Sequence, residues 1–147
     1  MKLAPALTYK ALYPTGIEQQ NVLLMQKIFD EKNVSALTQL KGRLGVDASG
    51  TQKFVENISN LWKLLNVKHP GKAAALRDPH SACVTLAIND AGVHFIMSMV
   101  NWLERWQGLQ LRPREGVLSR ETMHALHHTL KTLDIIPYLL NEDENQM

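Results

Sequence analysis

The sequence predicts an all-helical protein with about five helices. Apolar residues recur three, four and seven positions apart along most of the chain, which is the period of a helix with one buried face. No segment shows the alternation of apolar and polar residues that is typical of a half-buried strand. N-cap residues and glycines separate the periodic segments, and a long connector lies between the third and the fourth. We therefore expect a compact helical domain over residues 1–140 and a frayed acidic tail over residues 141–147.

The first helix is expected to start near Thr15. Thr15 and Glu18 have the spacing of a capping box, and the apolar period continues to about Lys32. Asn33 and Ser35 are expected to interrupt or restart the helix, because short polar side chains compete for backbone hydrogen bonds. The second helix follows, with four apolar residues at helical spacing and two glycines that weaken and end it: Val34, Leu37, Leu40, Leu44, Gly42 and Gly45.

The third helix has the clearest period, and Ser49 or Thr51 is expected to cap it, with Asn66 closing it. Its predicted buried face consists of Phe54, Ile58, Leu61, Trp62 and Leu65. The connector from Val67 to Ala82 contains Pro-Gly and Asp-Pro breaks, and its length indicates a functional loop or a surface excursion.

The fourth helix is expected to start at Asn89 and to end before Gly108, and the fifth to start at Ser119. Pro137 should kink or end the fifth helix, because proline lacks the backbone donor. The apolar faces of the two helices are predicted to contain Ile96, Met99, Val100, Leu103 and Trp106, and Met123, Leu126, Leu130 and Leu133.

Composition restricts the possible functions. The 147 residues are enough for one domain with a real core, and the net charge of +2 is too small to indicate nucleic-acid binding by itself. The only cysteine, Cys83, excludes an internal disulfide or a cysteine-based zinc site and suits the cytosol or the nucleus. No apolar run could span a membrane, and we identify no signal peptide.

Three histidines, His124, His127 and His128, share one face of the fifth helix. A metal site is conceivable there, but metal ligands normally need a fourth partner and an oriented second shell, so we expect exposed helix residues and no metal site. Gly71 and Lys72 do not form a phosphate loop, because the upstream glycine is missing and Ala73 replaces Ser or Thr.

The remaining candidates are interpreted as structural. The acidic pairs Asp30–Glu31 and Asp143–Glu144 are expected to be surface charge, and Cys83 a small buried residue. The three tryptophans are expected to pack in the core, and a base-stacking platform is the alternative: Trp62, Trp102 and Trp106. Seven basic residues indicate a solvated face or a phosphate-facing patch: Lys41, Arg43, Lys53, Lys63, Lys68, Lys72 and Arg77.

Several segments together resemble the GTP-binding insertion domain of P-element-type transposases. Leu7-Thr8, Lys10 and Leu12-Tyr13-Pro14, followed by a helix, are similar to the opening of that domain. Leu61-Trp62 and Leu64-Leu65-Asn66 resemble its helix that ends in an aromatic residue, a leucine and an asparagine. The segment that begins with Leu118-Ser119 and continues through Thr122 and Ala125-Leu126 is similar to its last helix. The resemblance covers residues 7–140.

The resemblance implies a helical insertion within an RNase H-like nuclease, with the start of the C-terminal nuclease segment near residues 119–140. In the family, this insertion binds GTP and contributes to holding transposon DNA in the nucleus, whereas the catalytic acids lie outside it. We therefore expect no catalytic residue in this chain, GTP with Mg²⁺ as the only candidate cofactor, and transposon DNA as a partner of the full-length transposase.

The chain also departs from the family pattern. Asn60 and Lys63 stand where the family helix often carries acidic residues, and Ala11 replaces a histidine. Val67-Lys68 replaces a Ser-Arg pair. These changes remove ligands for Mg²⁺ and acceptors for a guanine edge, so we expect weak or absent GTP binding and assign no nucleotide contact.

Two other functions remain open from the sequence. A helical module that binds protein partners would have an apolar helix face left exposed after folding, and the segment near Pro137-Tyr138 is the expected place. A small helical enzyme that uses the histidine cluster would contain stoichiometric metal.

Overall fold

The computed structural model is all-helical, as the sequence predicts, and describes residues 4–66, 90–109 and 118–144. Side chains are described for these residues except Leu44 and residues 137–144. No strand occurs in the described ranges. The chain divides into two compact units, Met1–Leu65 and Asn66–Met147, and a pair of long helices packs within each of them.

The first unit begins with short elements and ends with two long helices. The short ones are α1 (Tyr9–Leu12), a 3-10 helix (Gly16–Gln20) and α2 (Val22–Gln26). The long ones are α3 (Glu31–Leu44) and α4 (Ser49–Leu65), which pack against each other.

The single helix predicted from Thr15 to Lys32 is wrong, because two internal side chains cap new helices. The Asn21 Oδ1 atom accepts from the Leu24 amide at 3.2 Å and starts α2, and Asp30 Oδ1 accepts from the Lys32 amide at 2.8 Å and starts α3. Asn and Asp side chains offer the backbone these local bonds in place of a continuous helix. The predicted return contact of Glu18 is present, since its Oε2 accepts from the Thr15 amide at 3.3 Å.

The predicted interruption at Asn33 and Ser35 is also wrong, since both residues lie inside α3. Asn33 is buried, and its Nδ2 donates to the Lys27 and Ile28 carbonyls at 2.6 and 2.9 Å, so the side chain holds the preceding turn. Gly45 ends α3 as predicted, with a left-handed φ of +64° that glycine adopts without strain.

Helix α4 is buried on both sides of the predicted apolar stripe. Val55 and Ser59 are buried on one side, and Asn57, Leu61 and Leu64 on the other. Trp62 and Leu65, which the sequence places in the core, are instead 41% and 48% exposed. Within the predicted stripe, Leu61 is buried and Phe54 and Ile58 are half-buried, and Ile58 and Trp62 line an open groove.

The second unit contains α5 (Ala91–Gly108) and α6 (Arg120–Glu144), which pack against each other. The predicted Asn89 cap lies outside the described residues, and Asp90 caps α5 through the Gly92 amide at 2.6 Å. Ser119 caps α6 as predicted, because its Oγ accepts from the Thr122 amide at 3.1 Å. The buried core side chains are Val93, Ile96, Met99, Val100, Leu103, Met123 and Leu130.

Pro137 does not end α6, which continues to Glu144. Proline removes one backbone donor, and the surrounding turns keep the helix continuous. The first four residues of the tail predicted to fray are therefore helical. None of the described helices is both long and apolar enough to cross a membrane.

Candidate functional site

A groove opens in the first unit between α2, the start of α3 and the outer face of α4. Its volume is about 430 Å³, which is within the usual range for small-molecule pockets. The apolar part of its lining consists of Val22, Met25, Phe29, Ile58 and Trp62, and the polar part of Gln26, Asp30, Glu31, Lys32, Ser59 and Lys63.

Aromatic side chains give the groove its apolar wall. Phe29, in the turn after α2, packs on Phe54 of α4 with the ring centroids 6.0 Å apart and the planes tilted by 59°. Trp62 lies two turns further along α4 and is partly exposed in the groove. Such rings bury a large area when a partner covers them, so this wall can bind apolar or aromatic groups.

The charged residues on the rim already interact with each other. Lys63 of α4 forms an ion pair with Glu31, the first residue of α3. The Asp30 carboxylate is engaged in the N-cap of α3. The rim therefore carries both signs of charge, and at least one lysine and two carboxylates are engaged within the unit.

The rim of the groove carries two lysines, Lys32 and Lys63, and two carboxylates, Asp30 and Glu31. A triphosphate needs free cations and backbone amides, and Mg²⁺ needs carboxylate oxygens that are free to coordinate it. Here Lys63 is compensated by Glu31, and the two rim carboxylates would repel phosphate. Within the described part of the chain, no three His, Cys, Asp or Glu side chains come together as a metal site.

Exposed apolar residues occur on α2 and on the 3-10 helix that precedes it. Ile17 of the 3-10 helix is 90% exposed and Leu23 of α2 is 70% exposed, and Val22 and Met25 are also exposed. Clusters of this kind on a folded surface mark interaction sites more often than scattered single residues do. The wall of the groove and the α2 surface together form the most apolar exposed region that we identify in the first unit.

A second cluster joins the two helices of the second unit. Glu104 Oε1 of α5 lies 3.1 Å from His127 Nε2 and 3.1 Å from Lys131 Nζ, both on α6. The hydrogen bond from His127 and then that from Lys131 hold the pKa of Glu104 below its usual range. The sequence indicated His127 but not its partner, because nothing local relates residues 23 positions apart.

The other two histidines face solvent next to each other. His124 and His128 of α6 have ring centroids 6.3 Å apart. His128 Nδ1 is 3.4 Å from Thr132 Oγ1, and this hydroxyl donates to the His128 carbonyl at 2.9 Å. The structure thus separates the three histidines into one that bridges two helices and two that form an exposed pair.

The remaining sequence candidates are distributed as follows. Among the basic residues, Lys41 pairs with Asp47 and Lys53 with Glu56, and Arg43 is exposed. These pairs are typical of a solvated face. Trp102 and Trp106 are half-buried and pack on each other with centroids 5.2 Å apart. The positions outside the described residues include Lys68, Gly71-Lys72, Arg77, Cys83 and the side chains of Pro137-Tyr138 and Asp143-Glu144.

Comparison with known proteins adds no relative: no family model, no curated protein and no solved structure matches this chain.

Proposed function

We propose that this chain is a non-catalytic helical domain of a P-element-like DNA transposase, equivalent to the GTP-binding insertion domain, and that it contributes to engaging transposon DNA in the nucleus. The observation that carries the proposal is the order in which the resembling motifs fall on the helices. Each motif contains a residue that lies at a helix boundary.

Three boundaries support the proposal. Thr8 of the opening motif caps α1, with its Oγ1 accepting from the Ala11 amide at 3.2 Å. Asn66, the last residue of the aromatic-leucine-asparagine motif, directly follows α4. Ser119 of the last motif caps α6.

Nucleotide binding is proposed to be lost from the groove. Lys63, at a position where the family often has an acid, pairs with Glu31, and this pair occupies the rim. We expect that GTP with Mg²⁺ leaves the thermal unfolding midpoint of the purified chain unchanged. A saturable upward shift would show that the chain binds the nucleotide and would contradict this loss.

The proposal that this chain is part of a P-element-like transposase can be tested by sequencing the full-length transcript that contains this reading frame. We expect in-frame segments on both sides that encode an RNase H-like domain, with its catalytic acids outside residues 7–140. A transcript whose flanks encode an unrelated domain, or none, would refute it.

A second candidate function is a module that binds protein partners, and the groove favours it. An apolar wall next to the exposed α2 residues is a suitable surface for an amphipathic helix. Leu23→Ser should abolish partner or self-association if this surface is used. Leu109→Ser, a change at a similarly exposed leucine of the second unit, is the control. Light scattering over a concentration series measures the self-association, and equal behaviour of both variants would reject the α2 surface.

A further inference from the structure

The exposed pair of histidines on α6 has the arrangement of a two-point chelate. His124 and His128 are four residues apart in a regular helix, so their side chains emerge one above the other on the same face. Both are exposed, and their ring centroids lie 6.3 Å apart. Small rotations about the side-chain bonds bring two such rings to a shared ion without a change in the backbone.

The contacts of His128 allow its Nε2 atom to bind a metal ion. The Thr132 hydroxyl donates its proton to the His128 carbonyl, so its oxygen can only accept from the ring. Nδ1 of His128 lies 3.4 Å from that oxygen, so the tautomer protonated at Nδ1 can donate to it. In that tautomer Nε2 has a lone pair for a metal ion. Partners of this kind orient histidine ligands in metal sites.

We propose that His124 and His128 form a binding site for a first-row transition-metal ion of the type that prefers imidazole, such as Cu²⁺ or Zn²⁺. Water completes the coordination, since no third protein ligand joins the pair among the described residues. This site has two protein ligands, whereas the sequence argues against a site in which the protein supplies all of the ligands. It binds the ion exchangeably on the surface of the second unit.

His127 is not part of this site, although it is adjacent to His128 in sequence. Its Nε2 faces Glu104 of α5 at 3.1 Å, where Lys131 also contacts the carboxylate. The third histidine therefore provides a matched control on the same helix.

Titration of the untagged chain with Cu²⁺ tests the proposal, with calorimetry for affinity and electron paramagnetic resonance for the number of imidazole nitrogens. We expect one ion held by two nitrogens. His124→Asn and His128→Asn should each weaken binding by about tenfold or more, because each removes one of two ligands. Thr132→Val should weaken it by less, because it removes only the group that orients His128.

His127→Asn should leave the affinity within about twofold of the unchanged chain. The exposed positions of His124 and His128 allow the variants to fold, and circular dichroism verifies their helix content. Unchanged affinity and an unchanged nitrogen signal in the His124→Asn/His128→Asn double variant would overturn the proposal. Loss of the site in His127→Asn would also overturn it.

Discussion

A buried amide at Asn33 joins two neighbouring segments of the first unit. Its Nδ2 donates to the carbonyls of Lys27 and Ile28, which follow the end of α2 and have no continuing helix to accept from. Only 5% of the residue is exposed, so water cannot replace these bonds. The side chain therefore stabilises the break that separates α2 from α3.

Replacing Asn33 with alanine should destabilise the protein by about 1–2 kcal/mol, because two buried carbonyls lose their donor. The unpaired Oδ1 of Asn33 already has a cost, and this limits the loss. The measurement is the free energy of unfolding in urea. Ser35→Ala, at an exposed position two residues later, is the control and should change it by less than about 0.5 kcal/mol. Equal losses in the two variants would contradict this role for Asn33.

Glu104 couples the stability of the second unit to pH. Its folded-state pKa lies below the ordinary value of 4.5, mainly because of the hydrogen bond from His127 and then that from Lys131. A depressed folded pKa contributes stability that is fully present above the unfolded value and is lost as pH falls through the folded value. We expect the difference in unfolding free energy between the unchanged chain and Glu104→Gln to shrink as pH falls below about 4.5.

The same titration with Glu121→Gln gives the comparison, because Glu121 forms no ion pair within the described ranges. Glu121→Gln is therefore the same carboxylate-to-amide change without the loss of such a contact. A Glu104→Gln difference that grows as pH falls would contradict the assigned contacts.

At the scale of single residues, the sequence predicted some of the capping residues. The predicted caps Ser49 and Thr51 instead lie inside α4, and the caps Asn21 and Asp30 were not predicted. Thr15-Glu18, Gly45 and Ser119 act as expected, because their signals are local. The contact between Glu104 and His127 needs the packing of two helices and leaves no trace in the order of residues. The role of Asn33 was missed for another reason, since its bonds to the Lys27 and Ile28 carbonyls need a break in the helix that the apolar period did not indicate.

At the scale of elements, the end of α3 depends on the left-handed conformation of Gly45. A side chain at a φ of +64° is strained, so Gly45→Ala should lower the free energy of unfolding by about 1 kcal/mol. Gly42 lies inside the same helix with open space around its Cα, so Gly42→Ala should raise it by about 0.5–1 kcal/mol. Chemical denaturation of the two variants measures both effects. Effects of the same sign would contradict the position of this helix end.

The orientation of α4 shows why its buried face could not be predicted. The apolar stripe from Phe54 to Leu65 has a regular period, and a stripe predicts burial on one side only. The helix is instead buried on both flanks of the stripe, at positions that include the polar Asn57 and Ser59. Two residues of the stripe, Ile58 and Trp62, line the groove, whereas Leu61 is buried. The sequence thus predicted this helix but not the direction in which it faces.

At the scale of the whole molecule, the all-helical class follows from periodicity alone, because an amphipathic period is a property of consecutive residues. The groove does not follow, since it is built from α2, α3 and α4 together. The proposal that the chain is a transposase domain rests on local sequence motifs and on the positions of those motifs at the ends of helices.

The proposed role in engaging transposon DNA is tested most directly in the full-length transposase. The measurement is its affinity for DNA from the ends of its own element at a fixed salt concentration. The two proteins to be compared are the intact transposase and a form in which the segment corresponding to residues 7–140 is replaced by a flexible linker. We predict that the replacement weakens binding by about tenfold or more, a loss of about 1.4 kcal/mol. Equal affinity of the two proteins for the terminal DNA would contradict the account.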